Sequence, residues 1–253
     1  MFGFRGRVAH TLMRRYKSKE ASVNLYKFQT VNDYSMSALS ELSLYFARTE
    51  QLNDPTENMF CLLDPNEHDK YSPDLSKLGN MGVLSMAFGE QSKVEESPFM
   101  WAHYGNELKG FCLVFDYKLF NESKGDSLVK VGPVKYVNFP RLLSGENLIN
   151  EGSGLEDVAG VDFKKRNLER IYNTCFFYKP AEFQCEREYR FLSSNSGLKK
   201  YKPSALLSVI IGERMSDKDK DRLITNLNAL GFTNKLKLAK TKENSFKIHI
   251  TQF

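Results

Sequence analysis

Two short stretches of the chain carry side chains whose types and spacing could do chemistry. In residues 183–191, polar and apolar side chains alternate except at Arg187, and this pattern predicts a strand. One face of that strand would carry Glu186, Glu188 and Arg190, separated by about 6–7 Å per step. Two carboxylates at close range raise each other's pKa unless a cation lies near them, and Arg190 is such a cation. The pattern fits a catalytic carboxylate pair, or a solvated strand face with a local ion pair.

The second stretch, residues 100–105, reads Met-Trp-Ala-His-Tyr-Gly. A short helix starting near Pro98 would place Trp101, His103 and Tyr104 within one turn. An indole, an imidazole and a phenol together can hold a planar ligand ring and exchange protons with it. The alternative is a Trp101 anchored in the core, with His103 bonded to a backbone carbonyl.

Polar side chains at two further places could line the same cleft. Asn53 and Asp54 precede Pro55 in a predicted loop, where active-site residues are frequent, although the segment could be only a turn. Tyr26 and Lys27 lie in a short predicted strand, and Lys27 is either a solvated residue or a cation that points into the cleft.

Other common site signatures are missing from the sequence. The four histidines are far apart and show no metal-binding spacing, so a metal site built from His103 with Glu186 or Glu188 is only weakly indicated. Neither a phosphate-binding loop of the G-x-x-x-x-G-K type nor a G-x-G-x-x-G motif occurs. The sequence therefore predicts no resident metal.

The net charge of +5 comes from the beginning of the chain. Residues 1–19 carry six basic side chains and no acidic ones, so beyond residue 19 the basic count falls from 36 to 30 against 31 acidic residues. We interpret residues 1–20 as a basic arm or helix that could contact an acidic partner, and residues 21–253 as a single domain. No apolar run is long enough to span a membrane, and four cysteines without a C-x-x-C pair suggest a reduced, cytoplasmic protein.

The hydrophobic pattern predicts a mixed α+β fold, with mainly antiparallel sheets that form a cleft and several flanking helices. Continuous apolar runs predict buried strands at 82–88, 110–116 and 206–211. Helical spacing predicts helices at about 34–41, 163–177 and 217–230, with Asp33 as a cap of the first and Ser216 or Asp217 as a cap of the last.

Together these motifs resemble the bacterial domain of unknown function 2971 family. The family pattern is a Tyr-Lys-Tyr strand, an Asn-Asp-Pro loop, Met-Trp-x-x-Tyr with Lys-Gly before an apolar strand, and Glu-x-Glu-Tyr/Trp-Arg. The chain matches it at residues 26–28, 53–55, 100–104 with 109–110, and 186–190. Family members commonly have Trp where this chain has Phe183. The resemblance covers about residues 24–215 and leaves the basic arm outside.

The order of these motifs is similar to that of ADP-ribosyltransferases, which hold NAD in a cleft between two small sheets. That similarity implies Glu188 or Glu186 as the catalytic carboxylate, with His103 beside it. It places Tyr26 and Lys27 at the NAD ribose and phosphates, and counts Asn53 and Asp54 among the residues that bind the cofactor. The nicotinamide pocket would be formed by Trp101, His103 and Tyr104. Arg190 would be the cation that keeps the carboxylate ionised. Lys27 stands where the transferases usually have His or Arg.

The resemblance therefore implies an NAD-using enzyme that modifies an unknown macromolecular acceptor as a toxin or phage-defence effector. An antitoxin or defence protein would be its partner. Two alternatives belong to other classes. One is a non-catalytic module that senses a nucleotide or protein in a defence system. The other is a magnesium-dependent nuclease that uses Glu186, Glu188 and Asp54.

Overall fold

The structure is a computed structural model that describes residues 23–54, 61–62, 77–122, 127–138, 142–143 and 172–253. Helices flank a large open sheet that is mainly antiparallel, which confirms the predicted α+β class. The predicted basic arm at residues 1–20 and most of the predicted helix at 163–177 lie outside the described residues, although 172–176 are helical. No described helix is long and apolar enough to cross a membrane.

Fourteen strands occur in the described part of the chain. They are β1 Asn24–Gln29, β2 Ser43–Phe46, β3 Cys61–Leu62, β4 Gly82–Gly89, β5 Phe111–Asp116, β6 Leu128–Pro133, β7 Lys135–Val137, β8 Leu142–Leu143, β9 Tyr178–Pro180, β10 Glu188–Ser193, β11 Gly197–Lys200, β12 Leu206–Gly212, β13 Leu236–Lys240 and β14 His249–Gln252. Eight of them form one sheet in the order β14-β13-β12-β5-β1-β4-β10-β6. Only β12 and β13 are parallel neighbours within it. The short pairs β11-β2, β3-β8 and β7-β9 lie outside it.

The helices that lie wholly within the described residues are α1 Asp33–Ser40, α2 Gln91–Val94, α3 Pro98–His103, α4 Tyr117–Glu122 and α5 Asp217–Ala229. Side chains cap the first and the last of them. Asn32, one residue before the predicted cap Asp33, accepts the N–H of Ser35 and caps α1. The side chain of Ser216 accepts the N–H of Asp219 and caps α5, in agreement with one of the two predicted caps.

The two faces of the large sheet are covered differently. One face is a continuous core in which the sheet packs on α1, β2 and α5 through residues such as Leu25, Phe115, Phe191 and Leu223. The opposite face carries two separate apolar clusters, one around Trp101 and the other around residues 175–177. Charged residues of β10 lie between these two clusters, because Glu188 pairs with Ala87 of the first and Leu192 with Val83 of the second.

The strand predicted for residues 183–191 is wrong in its first half. Residues 181–186 form a 3-10 turn, and β10 begins only at Glu188. Arg187 between them has φ of 51° and ψ of 43°, a left-handed conformation that breaks the alternation. Glu186 and Glu188 therefore do not share the face of one strand, although they do come together in space.

Candidate functional site

Two buried carboxylates and two buried cations form the candidate site, and a tyrosine hydroxyl completes this group. The cluster consists of Glu186, Glu188, Lys179, Arg190 and Tyr104, and is called the carboxylate cluster below. Glu186 and Glu188 are each 6% exposed, and Arg190 is 1% exposed. Charges buried to this extent are stable in a protein only when they are paired and hydrogen-bonded.

Glu188 is held from several sides. Nε of Arg190 donates to Oε1 at 2.5 Å, and Nη2 donates to Oε2 at 3.0 Å. The Lys179 ammonium lies 3.0 Å from Oε2. Burial alone would raise the pKa of Glu188, but Arg190, Lys179 and the Ser85 hydroxyl outweigh it and lower that pKa to about 2. Glu188 is therefore a fixed negative charge at neutral pH.

Glu186 belongs to the same cluster through different partners. The Tyr104 hydroxyl donates to its Oε1, and Lys179 Nζ lies 2.8 Å from its Oε2. The left-handed conformation of Arg187 turns the chain so that Glu186 and Glu188 reach the same ammonium. A carboxylate has about four acceptor positions. The described residues fill two of those of Glu186 and nearly all of those of Glu188.

The short parallel pair β7-β9 brings two side chains to the carboxylates. Tyr136 of β7 and Lys179 of β9 are direct partners in its register. The Tyr136 hydroxyl accepts the backbone N–H of Glu188 at 2.8 Å. Lys179 also lies over the ring of Phe183, 5.0 Å from its centroid. Burial alone would lower the pKa of Lys179, but Glu188 and Glu186 raise it above its usual value, so Lys179 is charged.

Lys27 lies at a separation between two neighbouring strands. β1 pairs with β5 over its whole length, but its pairing with β4 ends at Tyr26 and Ala87. Just beyond that point, Lys27 Nζ donates to the backbone carbonyl of Ser85 at 2.9 Å. Burial lowers the pKa of Lys27, and the negative charge of Glu188 opposes that shift. A half-buried cation of β1 thus lies in the electrostatic range of Glu188.

Tyr104 is positioned by an unusual turn. Residues 106–108 all have positive φ, from 49° to 65°, although none is glycine. Left-handed conformation costs an ordinary residue about 1–2 kcal/mol, so the surroundings must hold this turn in place. The backbone carbonyl of Leu108 accepts the N–H of Arg214 at 3.0 Å, which ties the turn to the end of β12. A side chain on Gly105 would collide with Trp101, 2.5 Å away.

The remaining residues that the sequence singled out lie in several environments. Trp101 is 1% exposed, packs edge-on against Phe28 and donates its Nε1 to the carbonyl of Glu95 at 2.7 Å. Tyr26 is buried in the same apolar cluster as Trp101. Both are core residues, as the alternative for Trp101 expected. They are too deeply buried here to stack on a ligand ring.

His103, Asn53 and Asp54 are not in the carboxylate cluster. His103 is exposed on α3, with its ring centroid 4.5 Å from that of Phe99. Asn53 is exposed, whereas Asp54 beside it is buried. Pro55 of the same motif lies outside the described residues. Of the ten predicted site residues, the structure joins Glu186, Glu188, Arg190 and Tyr104 by direct contacts, with Lys27 nearby.

The sequence did not place Tyr136, Ser85 or Lys179 among the site residues. Tyr136 and Lys179 lie in three-residue strands that are too short for a period-2 pattern to be visible. Ser85 is one of the few polar residues within the apolar run of β4, and this was the available signal. A polar side chain inside a buried strand usually has a hydrogen-bond partner, and the partner of the Ser85 hydroxyl is Glu188.

No group of three or more His, Cys, Asp or Glu side chains with metal-binding geometry occurs among the described residues. Lys179 lies between Glu186 and Glu188, in the position that a bridging cation would take. These two carboxylates therefore already have a cationic partner, and the arrangement gives the nuclease hypothesis no specific support.

Comparison with known families agrees with the sequence motifs. The model of the family described as "Protein of unknown function (DUF2971)" matches residues 100–191, from the start of the Met-Trp segment into β10. This match confirms the family prediction over that segment. No curated protein and no solved structure matches the chain.

Proposed function

We propose that this protein is an ADP-ribosyltransferase-like enzyme that uses NAD as a substrate. One observation carries the proposal: Lys27 of β1, Ser85 of β4 and Glu188 of β10 lie together where β1 and β4 separate. The similarity in motif order implies a cation on the first strand and a late glutamate at the ribose. Three neighbouring strands bring such a pair together here.

The partly exposed residues around the buried carboxylates support a cleft at this place. They are Lys27, Ser85, Tyr104, Tyr136 and Phe183. Glu186 and Glu188 would lie at the floor of such a cleft, since both are almost fully buried. In this proposal Trp101 and Tyr26 support the floor from the core and do not touch NAD.

In the proposed reaction, the bond between the nicotinamide nitrogen and the ribose carbon breaks, and nicotinamide leaves with the bonding electron pair. The nucleophile of an acceptor, or water, bonds to the same carbon and releases its proton. Positive charge develops on the ribose as the bond breaks, and fixed carboxylates stabilise that charge. Glu188 supplies a permanent negative charge, and Glu186 retains acceptor positions for a ribose hydroxyl. In this proposal Lys27 binds the anionic diphosphate.

Nicotinamide release from NAD tests the proposal, because hydrolysis by water needs no macromolecular acceptor. Wild type is compared with Glu186→Gln, Glu188→Gln and the control Glu182→Gln, which changes an exposed glutamate of the same turn. We expect release by wild type and by the control, and a loss of at least about a hundredfold in the other two. A chelator should leave the release intact. If Glu186→Gln and Glu188→Gln each retain full release, the proposal is wrong.

A toxin or phage-defence setting in the cytoplasm is the second part of the proposal. The acceptor would then be a host macromolecule, and an antitoxin or defence protein would restrain the activity. The basic side chains of residues 1–20 suit an acidic partner. Expression of wild type should arrest growth, and Glu188→Gln should not. Labelled NAD incubated with cell extract would reveal the acceptor class by the fraction that becomes labelled.

A second candidate, a non-catalytic nucleotide sensor, is favoured by one specific observation. Arg190, Lys179 and Ser85 occupy nearly all acceptor positions of Glu188, as expected for a rigid recognition site. A sensor would be stabilised by NAD or a related nucleotide without releasing nicotinamide. Thermal shift beside the release assay separates the two candidates.

A further inference from the structure

We propose that Tyr136 determines specificity for the nicotinamide ribose of NAD. Its hydroxyl donates a hydrogen bond to the 2′-hydroxyl of that ribose, and the same 2′-hydroxyl donates a hydrogen bond to Glu186. This inference rests on the proposed function and adds a residue that neither the sequence motifs nor the family resemblance indicated.

The position of Tyr136 is fixed on two sides. It lies opposite Lys179 in the β7-β9 register, and Lys179 contacts both Glu186 and Glu188. Its hydroxyl oxygen accepts the backbone N–H of Glu188 at 2.8 Å, where β10 begins. The phenol oxygen therefore lies at the carboxylate cluster and cannot turn away without leaving that N–H unpaired.

The hydroxyl proton of Tyr136 remains available for a ligand. A phenol oxygen can accept one hydrogen bond and donate another. The contacts of the described residues show Tyr136 only as an acceptor, whereas the Tyr104 proton is already used on Glu186. Tyr136 is also partly exposed, so a ligand can reach it. Burial raises the pKa of Tyr136, so its hydroxyl keeps the proton at physiological pH.

A sugar hydroxyl complements this pair because it both donates and accepts a hydrogen bond. Tyr136 accepts the backbone N–H of Glu188, and its register partner Lys179 contacts both carboxylates, so the hydroxyl lies on the same side as Glu186 and Glu188. A donor on Tyr136 and an acceptor on Glu186 therefore offer both halves of what a hydroxyl needs. A site with two carboxylates would in addition repel a phosphate attached at the same position.

The test compares wild type and Tyr136→Phe with NAD and with an analogue that lacks the 2′-hydroxyl of the nicotinamide ribose. Tyr172→Phe, a half-buried tyrosine near Phe176, is the control. We expect Tyr136→Phe to raise KM for NAD about threefold to tenfold, which is the effect of one lost hydrogen bond, with a smaller change in kcat. The preference for NAD over the analogue should shrink by the same factor.

A purely structural role of Tyr136 would give a different result. Loss of the acceptor for the Glu188 N–H would then lower kcat for both substrates equally and leave the preference unchanged, which would overturn the inference. Melting temperatures of the three proteins check that the variants are folded. Rescue is not expected from Tyr136→His, which lacks the reach of the phenol.

Failure of this inference is distinguishable from failure of the proposed function. If wild type releases nicotinamide and the preference is the same in Tyr136→Phe, only the role of Tyr136 is wrong. If wild type neither releases nicotinamide nor binds NAD in a calorimetric titration, the proposed function and the inference are both overturned. If wild type binds NAD without turnover, the ratio of the two Kd values replaces the ratio of KM values, with the same expected factor.

Discussion

The Tyr104 hydroxyl donates a hydrogen bond to Oε1 of Glu186, although the two residues lie 82 positions apart in the chain. Tyr104 directly follows α3 as its C-terminal cap, and Glu186 ends the turn before β10. These two places lie near opposite ends of the segment that matches the family model, residues 100–191. The hydrogen bond therefore joins the two ends of the segment that matches the family model.

We expect Tyr104→Phe to lower the free energy of unfolding by about 1.5–3 kcal/mol, the range for a hydrogen bond to a charged group. The ring is retained, so the loss reports on the hydroxyl alone. Urea unfolding measures the change, and Tyr45→Phe is the control because its hydroxyl bonds Gln51 at the surface. Equal losses in both variants would show that the bond to Glu186 has no special role.

Glu188→Gln should destabilise the protein by about 3–5 kcal/mol, because it leaves the buried guanidinium of Arg190 without its ionic partner. The exposed pair of Asp33 and Arg222, 2.6 Å apart, is the matched comparison. Asp33→Asn should cost less than about 1 kcal/mol, because water screens an exposed pair. Chemical denaturation of both variants tests this difference, and a loss under about 1 kcal/mol in Glu188→Gln would contradict it.

Acid should remove the contribution of Glu188. Its pKa is lowered from its usual 4.5 to about 2 in the folded protein, so the unfolded chain binds this proton more tightly. The stabilisation is therefore complete above about 4.5 and is lost as the pH falls toward 2, with a total of about 3 kcal/mol. Unfolding measured from about pH 6 to about pH 2.5 should show the stability of wild type approaching that of Glu188→Gln. Parallel curves would rule out the shift.

Gly212→Ala should disturb the turn that follows Tyr104. A Cβ at Gly212 would lie 2.0 Å from the carbonyl oxygen of Leu108, so one of the two segments must move. We expect a loss of about 1–3 kcal/mol, the usual cost of overpacking. Gly79→Ala is the control, since a Cβ there meets no atom within 4 Å. Should Gly212→Ala be as stable as that control, the left-handed turn does not depend on this contact.

Most of the large sheet could be predicted from the sequence. The central strands β4, β5 and β12 are continuous apolar runs, and the structure places them within a residue or two of the predicted bounds. The signal is strong because these strands are buried on both faces and tolerate few polar residues. The cap of α5 was narrowed to Ser216 or Asp217, because both are preferred N-cap residues, and the structure uses Ser216.

The start of β10 was predicted wrongly for an identifiable reason. Apolar and polar residues alternate through 183–186, as in a strand, but in the 3-10 turn that forms there side chains repeat every three residues. The strand begins only after Arg187, which has a left-handed conformation. An arginine gives no indication in the sequence that its φ will be positive. The pairing of Glu186 with Lys179 depends on that single residue, so the sequence could indicate the carboxylates but not their common partner.

The role of Trp101 illustrates the opposite case. Its motif suggested a ligand-stacking surface, and the structure buries it against Phe28 with its Nε1 bonded to Glu95. Residue types alone do not distinguish an aromatic residue that packs in the core from one that stacks on a ligand, because both roles need a large ring next to a strand. The buried position of Trp101 also explains why glycine occupies position 105 of the motif, since the indole ring leaves no room for a side chain there.

The strand order of the large sheet has a consequence for biosynthesis. β1 is synthesised first among the sheet strands but lies between β4 and β5, and β4 needs β10 on its other side. A nascent chain that ends before β10 therefore exposes the hydrogen-bonding edge of β4, and such edges promote aggregation. Pairing of strands so distant along the chain is also slow. Lys27 leaves the ribosome long before Glu188 exists, so a truncated chain would have an unpaired sheet edge and no carboxylate cluster.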